Sequence, residues 1–370
     1  MPHTHVARDM RREVASTPPM VAPGILARAL LLGAALAPAP VRAASAQDRP
    51  TGTVVVSNMN DHTATVLDAA TGRVLATLPT GRGPHEVAVS HDGRWAVVSN
   101  YGPRGEPGNS ITVIDIPALR VSRSIEIRGY ERPHGMAFLP GDTLLAVTAE
   151  SKKAVLLIDF RTGAISRVLP TNGRATHMLS LSADGSTMVT ANIADGTISV
   201  IRPSGTDSAA TVRVTAAPEG IAITPDGTTA WVGSDRDSVV VVVDLLTTQP
   251  VDTLRGFGLP YRLAITPDGR RAIITDPMKA QVRIFDVSTR RERATLDIPA
   301  DSIVSTAEVP GSPSPEGVTV SHDGRWAFVT LQGRNRVITI DIDRARIVGW
   351  APTGTWSDGI GYSTLVVSPR

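Results

Sequence analysis

Pro84-His85-Glu86-Val87-Ala88-Val89-Ser90-His91-Asp92-Gly93-Arg94-Trp95-Ala96-Val97-Val98-Ser99-Asn100 sets two short apolar runs around a Ser-x-Asp-Gly turn. Asp-Gly accepts positive φ, so the stretch reads as a β-hairpin. Versions of it return at Pro133-His134-Gly135, Thr176-His177-Met178, Pro218-Glu219-Gly220, Pro260-Tyr261-Arg262, Pro315-Glu316-Gly317 and, more weakly, Ser357-Asp358-Gly359. The copies are 49, 43, 42, 42, 55 and 42 residues apart. That period belongs to propeller blades, here with two insertions.

Each unit is predicted to hold four strands. The first is of the Val87–Val89 kind and the second of the Ala96–Asn100 kind. The third ends in Asp (Ile111–Asp115, Val337–Asp341), and the fourth is more polar (Val121–Ile125), as an outer strand should be. The middle of the first strand is always small: Ala88, Ala137, Ser180, Ala222, Ala264, Thr319, Gly361. Its flanks are large, and period-2 alternation puts the two sets on opposite faces. The small set is expected nearest the axis, where blades taper. Ile360-Gly361-Tyr362 repeats a first strand with no unit behind it, while Thr53–Asn58 repeats a second strand with no first. The termini therefore share the closing blade and leave no open edge. The fold class is all-β: a single seven-bladed β-propeller over residues 47–370.

Residues 1–46 read as an export signal. Arg8, Arg11 and Arg12 precede an apolar run from Ile25 to Leu36, and Ala44-Ser45-Ala46 fits a cleavage site before Gln47. The run is too short to span a bilayer, so no transmembrane segment is expected after cleavage, and the mature protein is placed in the periplasm or outside the cell. Translation from Met20 and a twin-arginine route are both open. The leader holds five of the 37 Lys and Arg and two of the 35 Asp and Glu, leaving 32 against 33, a net of −1. Such a balance gives no basic surface for nucleic acid. With no Cys there is no disulfide, thiolate metal site or c-type haem attachment. No nucleotide-binding glycine motif, G-x-S-x-G or H-E-x-x-H occurs.

Ala191-Asn192 after Ser-x-Asp-Gly, third strands such as Val113-Ile114-Asp115, and Asp-x-x-Thr-Gly-Arg-Val at Asp68 to Val74 carry a family likeness. The chain resembles the YVTN-type (YncE-like, WD40/YVTN repeat-like) forty-residue-repeat propellers over essentially all of residues 47–370. Ile198–Ile201 departs from the pattern, running into Arg202-Pro203 without the usual Asp. The resemblance implies the fold and leaves function open, since such proteins include binding proteins, lactonase-like enzymes and haem-carrying domains.

In a propeller, the loops leading into first strands share a face with those joining strands two and three; the Asp-Gly turns lie opposite. His85, His134 and His177 hold the same leading position in three consecutive units, and Glu219, Tyr261, Glu316 and Asp358 continue the ring. Asn100, Glu150, Asn192 and Asp276 end second strands beside them, and Arg262 adds a cation. Together these twelve residues are the candidate ligand site, expected as a concave mouth with an imidazole wall and an Arg/Tyr/Glu wall. It would suit a polar small molecule, a peptide end or an envelope protein, bound by a monomeric chain. His85, His134 and His177 are candidate ligands of a divalent metal. Alternatively, each imidazole hydrogen-bonds the turn of its own blade. A metal would open a second reading, a lactonase-like hydrolase or lyase with Glu150 or Glu219 as general base. The column Asp68, Asp115, Asp159, Asp244, Asp286, Asp341 precedes turns and reads as backbone capping. Trp95, Trp231 and Trp326 read as packing. Both insertions, Asn100–Asn109 and Ile298–Ser314, fall on the histidine face, which favours a lid or a partner contact there.

Overall fold

A computed structural model describes residues 49–205, 208–299, 307 and 309–368. The export segment and, within the Ile298–Ser314 insertion, residues 300–306 and 308 lie outside them. The chain forms seven four-stranded antiparallel sheets. The first complete blade runs β4 (Pro84–Val89), β5 (Trp95–Asn100), β6 (Ser110–Asp115), β7 (Arg120–Glu126) in spatial order. The closing blade is β28 (Ser357–Ser363), β1 (Thr53–Asn58), β2 (Thr63–Asp68), β3 (Val74–Pro79), three strands from one end and one from the other. Innermost strands β4, β8 (Pro133–Phe138), β12 (Thr176–Leu181), β16 (Pro218–Ile223), β20 (Leu263–Ile265), β24 (Pro315–Val320) and β28 touch in a ring.

The turn chemistry accounts for the hairpins. Ser90 donates from Oγ to Asp92 Oδ1 at 2.6 Å, Asp92 Oδ1 accepts from Arg94 N, and Gly93 takes φ 73°. Ser182/Asp184, Thr224/Asp226, Thr266/Asp268 and Ser321/Asp323 repeat the device. The Asp column caps turns as expected. Asp68 Oδ1 accepts from Thr71 N and Asp286 Oδ1 from Thr289 N, with Asp115, Asp159, Asp244 and Asp341 alike.

One packing expectation is corrected. The small residues of the first strand do not line the axis; both faces of each strand meet neighbouring blades. Val87 and Val89 pack with Val55 and Val66 of the closing blade, while Ala88 packs with Met136 and Phe138 of the next. Ile221 and Ile223 likewise face the preceding blade and Ala222 the following one. A small residue leaves room for the large flank of the next first strand, so the alternation sets blade spacing. Trp231 and Trp326 are buried in these interfaces and Trp95 partly so.

Deleting Ser357–Arg370 would strip β1 of its inner partner and expose both edges of the ring. Thermal unfolding followed by circular dichroism is expected to show a loss of about 5 kcal/mol or more. Deleting only residues 366–370 is expected to cost much less.

Candidate functional site

A β-bulge builds the site. In β4, Pro84 pairs with Asn100 and Val87 with Val98, so His85 and Glu86 together oppose Ser99. The same slip falls at His134-Gly135, His177-Met178, Glu219-Gly220 and Glu316-Gly317. A bulge bends the strand and re-aims a side chain; here it turns the leading side chain inward. Hydroxyls of second strands lock the geometry across blades: Ser57 Oγ donates to His85 O, Thr148 Oγ1 to His177 O, Thr275 Oγ1 to Glu316 O and Thr330 Oγ1 to Asp358 O, at 2.5–2.9 Å. The residue after the lead is usually Gly because the next blade's backbone crosses there; a Cβ at Gly220 or Gly317 would strike the carbonyl oxygen of Tyr261 or Asp358. Only Glu86, Met178 and Arg262 carry a side chain at that position.

The leading side chains converge in a buried polar cluster, and the expected open mouth is corrected accordingly. His134 is 0% exposed and Arg262 4%, with Glu219, Glu316 and Asp358 also buried. The three imidazoles follow one another at a tilt: His85 and His134 centroids are 4.3 Å apart with the rings at 53°, and His134 and His177 3.4 Å apart at 32°. Arg262 donates from Nε and Nη2 to Glu86 Oε1 (3.1 and 2.7 Å) and from Nη1 to Glu219 Oε1, while its guanidinium lies over the Tyr261 ring. His177 holds Glu150 with Nδ1 (3.1 Å) and Glu219 with Nε2 (3.0 Å). Tyr101 donates to Glu150 Oε2 at 2.8 Å, and its ring meets His85 and His134 edge-on. His85 Nδ1 lies 2.6 Å from Asp358 Oδ2, off hydrogen-bond alignment.

Charge follows from these contacts. Burial alone would lower the pKa of His177, but Glu219 and Glu150 outweigh it and raise the pKa to about 9. Burial would raise Glu219; His177 and Arg262 overcome it and hold the carboxyl at about 2. Asp358 and Glu86 likewise overcome burial to raise His85. His134 has only burial and neighbouring cations, and its pKa falls well below 6.5. Glu150 is held below the usual carboxylate range because His177 and Tyr101 outweigh its burial. Carboxylates held low in this way stay ionised at neutral pH.

Of the twelve candidates, His85, His134, His177, Glu150, Glu219, Tyr261, Arg262 and Asp358 meet in this cluster. Glu316 is buried in the same ring, accepting from Ser314 Oγ at 2.6 Å. Asn100, Asn192 and Asp276 are engaged elsewhere. Asn100 Oδ1 accepts from Gly81 N, Asn192 Nδ2 donates to Ser199 Oγ, and Asp276 accepts from Gly258 and Leu259 N. Each thereby ties a connecting loop or neighbouring strand to its own blade. Glu86 and Tyr101 were not among the candidates. Glu86 could have been found as a charge breaking a glycine column, opposite in sign to Arg262 in the same column. Tyr101 opens the Asn100–Asn109 insertion and had no repeat position to mark it. His91, on the far face, holds Asp142 with Nδ1 at 2.7 Å.

No family model matches the chain, and no curated protein does. Among solved structures, a chain of Kuenenia stuttgartiensis hydrazine synthase is similar, with TM-score 0.64 and 19% identity over 76% of this chain and 90% of that one. At that identity the likeness establishes the propeller fold alone.

The cluster makes stability depend on pH in two directions. His177, raised from 6.5 to about 9, stabilises fully below 6.5 and loses that contribution as pH rises toward 9. His134, lowered, stabilises fully above 6.5 and loses it as pH falls; Glu219 adds a loss below 4.5, toward 2. In chelator, the melting temperature is expected to peak near pH 6.5, with limbs of up to roughly 1.4 kcal/mol per pH unit. His177→Gln should flatten the alkaline limb and His134→Gln the acid one. A profile unchanged by either variant would contradict these charge states.

Proposed function

We propose that the chain is an exported recognition protein, periplasmic or secreted, that binds a carboxylate-bearing ligand with an apolar body on its histidine face. The observation that carries this reading is a cavity of about 500 Å³ lined by Met59, Pro103, Trp356 and Tyr101, with Arg104, Arg132 and His62 among its polar walls. Its volume lies in the range of small-molecule sites, and apolar walls with a few convergent polar groups are their usual construction. The Asn100–Asn109 insertion supplies one wall, so the departure from the repeat creates the hollow. Arg132 lies over the Tyr101 ring at 4.6 Å, which pre-positions the guanidinium. His62 Nδ1, 3.2 Å from Gly83 N, is fixed against the same wall. A small metabolite or a peptide C-terminus would meet these groups alike. Among the described residues no helix is long and apolar enough to cross a membrane.

Calorimetric titration with indole-3-acetate and with its neutral amide tests the reading. The acid is expected to bind more tightly than the amide, and Arg132→Gln or Arg104→Gln to weaken the acid about tenfold. Equal binding of acid and amide, or none of either, would sink it. Protein recovered from the periplasm or medium is expected to begin at Gln47; a full-length chain retained in the cytoplasm would remove the export half.

A further inference from the structure

His134 poses a problem that the outer cavity does not solve. Its side chain is fully buried, and both Nδ1 and Nε2 lack a hydrogen-bond partner. Leaving such atoms buried and unpaired is costly, and buried polar side-chain atoms in native proteins are mostly satisfied. Its neighbours on either side are unequal. His177 has both nitrogens on carboxylates and none to spare. His85 turns Nδ1 toward Asp358, which leaves Nε2 as its remaining donor. Glu86 gives Oε1 to Arg262. One ligand atom each from His85, Glu86 and His134 lies within 4.8 Å of the others.

We propose that His85, Glu86 and His134 bind a divalent first-row transition ion at the propeller axis. Two neutral imidazoles and one carboxylate are the donor set that such ions take, whereas Mg²⁺ and Ca²⁺ prefer all-oxygen shells. Surrounding groups hold the ligands as outer partners do in metal sites: Asp358 lies 2.6 Å from Nδ1 of His85, and Arg262 engages one oxygen of Glu86. Charge points the same way. Glu86, Glu150, Glu219 and Asp358 outnumber the cations they face, Arg262, His177 and His85, and an added cation would offset the excess. The ion gives His134 the partner that the protein does not. This set excludes His177 and includes Glu86, unlike the three-histidine set read from the repeat. It does not depend on the cavity binding a carboxylate.

The test uses the full chain, stripped with chelator and titrated with Zn²⁺ or Cu²⁺ alone. One ion per chain is expected, together with a rise in melting temperature at saturating metal. Glu86→Gln and His134→Gln are each expected to weaken binding about 100-fold, and Asp358→Asn about tenfold. His177→Gln should keep one ion per chain, and far-face His322→Ala should change nothing. Should His134→Gln fail to fold, Cu²⁺ bound to the unaltered protein still decides, because its electron paramagnetic resonance counts coordinated nitrogens. Two imidazole nitrogens support the set. Three nitrogens, sub-stoichiometric binding, or equal loss in His322→Ala would overturn it.

Discussion

A single guanidinium reaches across the axis of the ring. Arg262 joins Glu86, 176 residues earlier, to Glu219 in the preceding blade, and stays almost wholly out of water. Burying that charge is expensive, and such pairs often stabilise no more than apolar packing would. Removing one partner is another matter, costing about 3–5 kcal/mol because the remaining charge stays buried. One chain of contacts continues from this one: Arg262 to Glu219, Glu219 to His177, His177 to Glu150, Glu150 to Tyr101. The network saturates its members in order and stops short of His134. That residue is left between His177, whose two nitrogens both face carboxylates, and His85, whose Nδ1 faces Asp358.

The fold was legible because it is written seven times. Period, turn chemistry and the alternation of small and large residues all recur, and the divided closing blade follows from an unmatched strand copy at each end. The axis was misjudged for a physical reason. Alternation distinguishes two faces of a strand but not what lies beyond them, and in this ring both faces meet protein. The polar centre comes from a bulge, which breaks the alternation. Bulges are set by where the next backbone passes, and one strand's sequence does not contain that information.

The same reasoning separates the site residues that could be read from those that could not. Leading residues such as His134 and Glu219 announced themselves by position. Their burial did not, because a polar residue at a loop junction ordinarily faces water. Asn100, Asn192 and Asp276 looked like ligands by type, yet loop amides and hydroxyls consume them. Glu86 was hidden by its neighbour's prominence. The glycines that fill its column elsewhere, where a side chain would strike the adjoining blade, are the trace that marks it.

Tyr101 belongs to both halves of the histidine face. One edge of its ring meets His85 and His134, its hydroxyl donates to Glu150, and its face carries Arg132, which lines the outer cavity. Burial and Glu150 raise its pKa, so the hydroxyl keeps its proton and remains a donor at neutral pH. On the proposed reading, an anion taken up beside Arg132 would act on a cluster that already holds more carboxylates than cations. Positive charge gained by the cluster would favour the anion, and the anion would favour that charge equally, since coupling between two bound charges is reciprocal. A single aromatic ring touches both the cavity wall and the buried cluster.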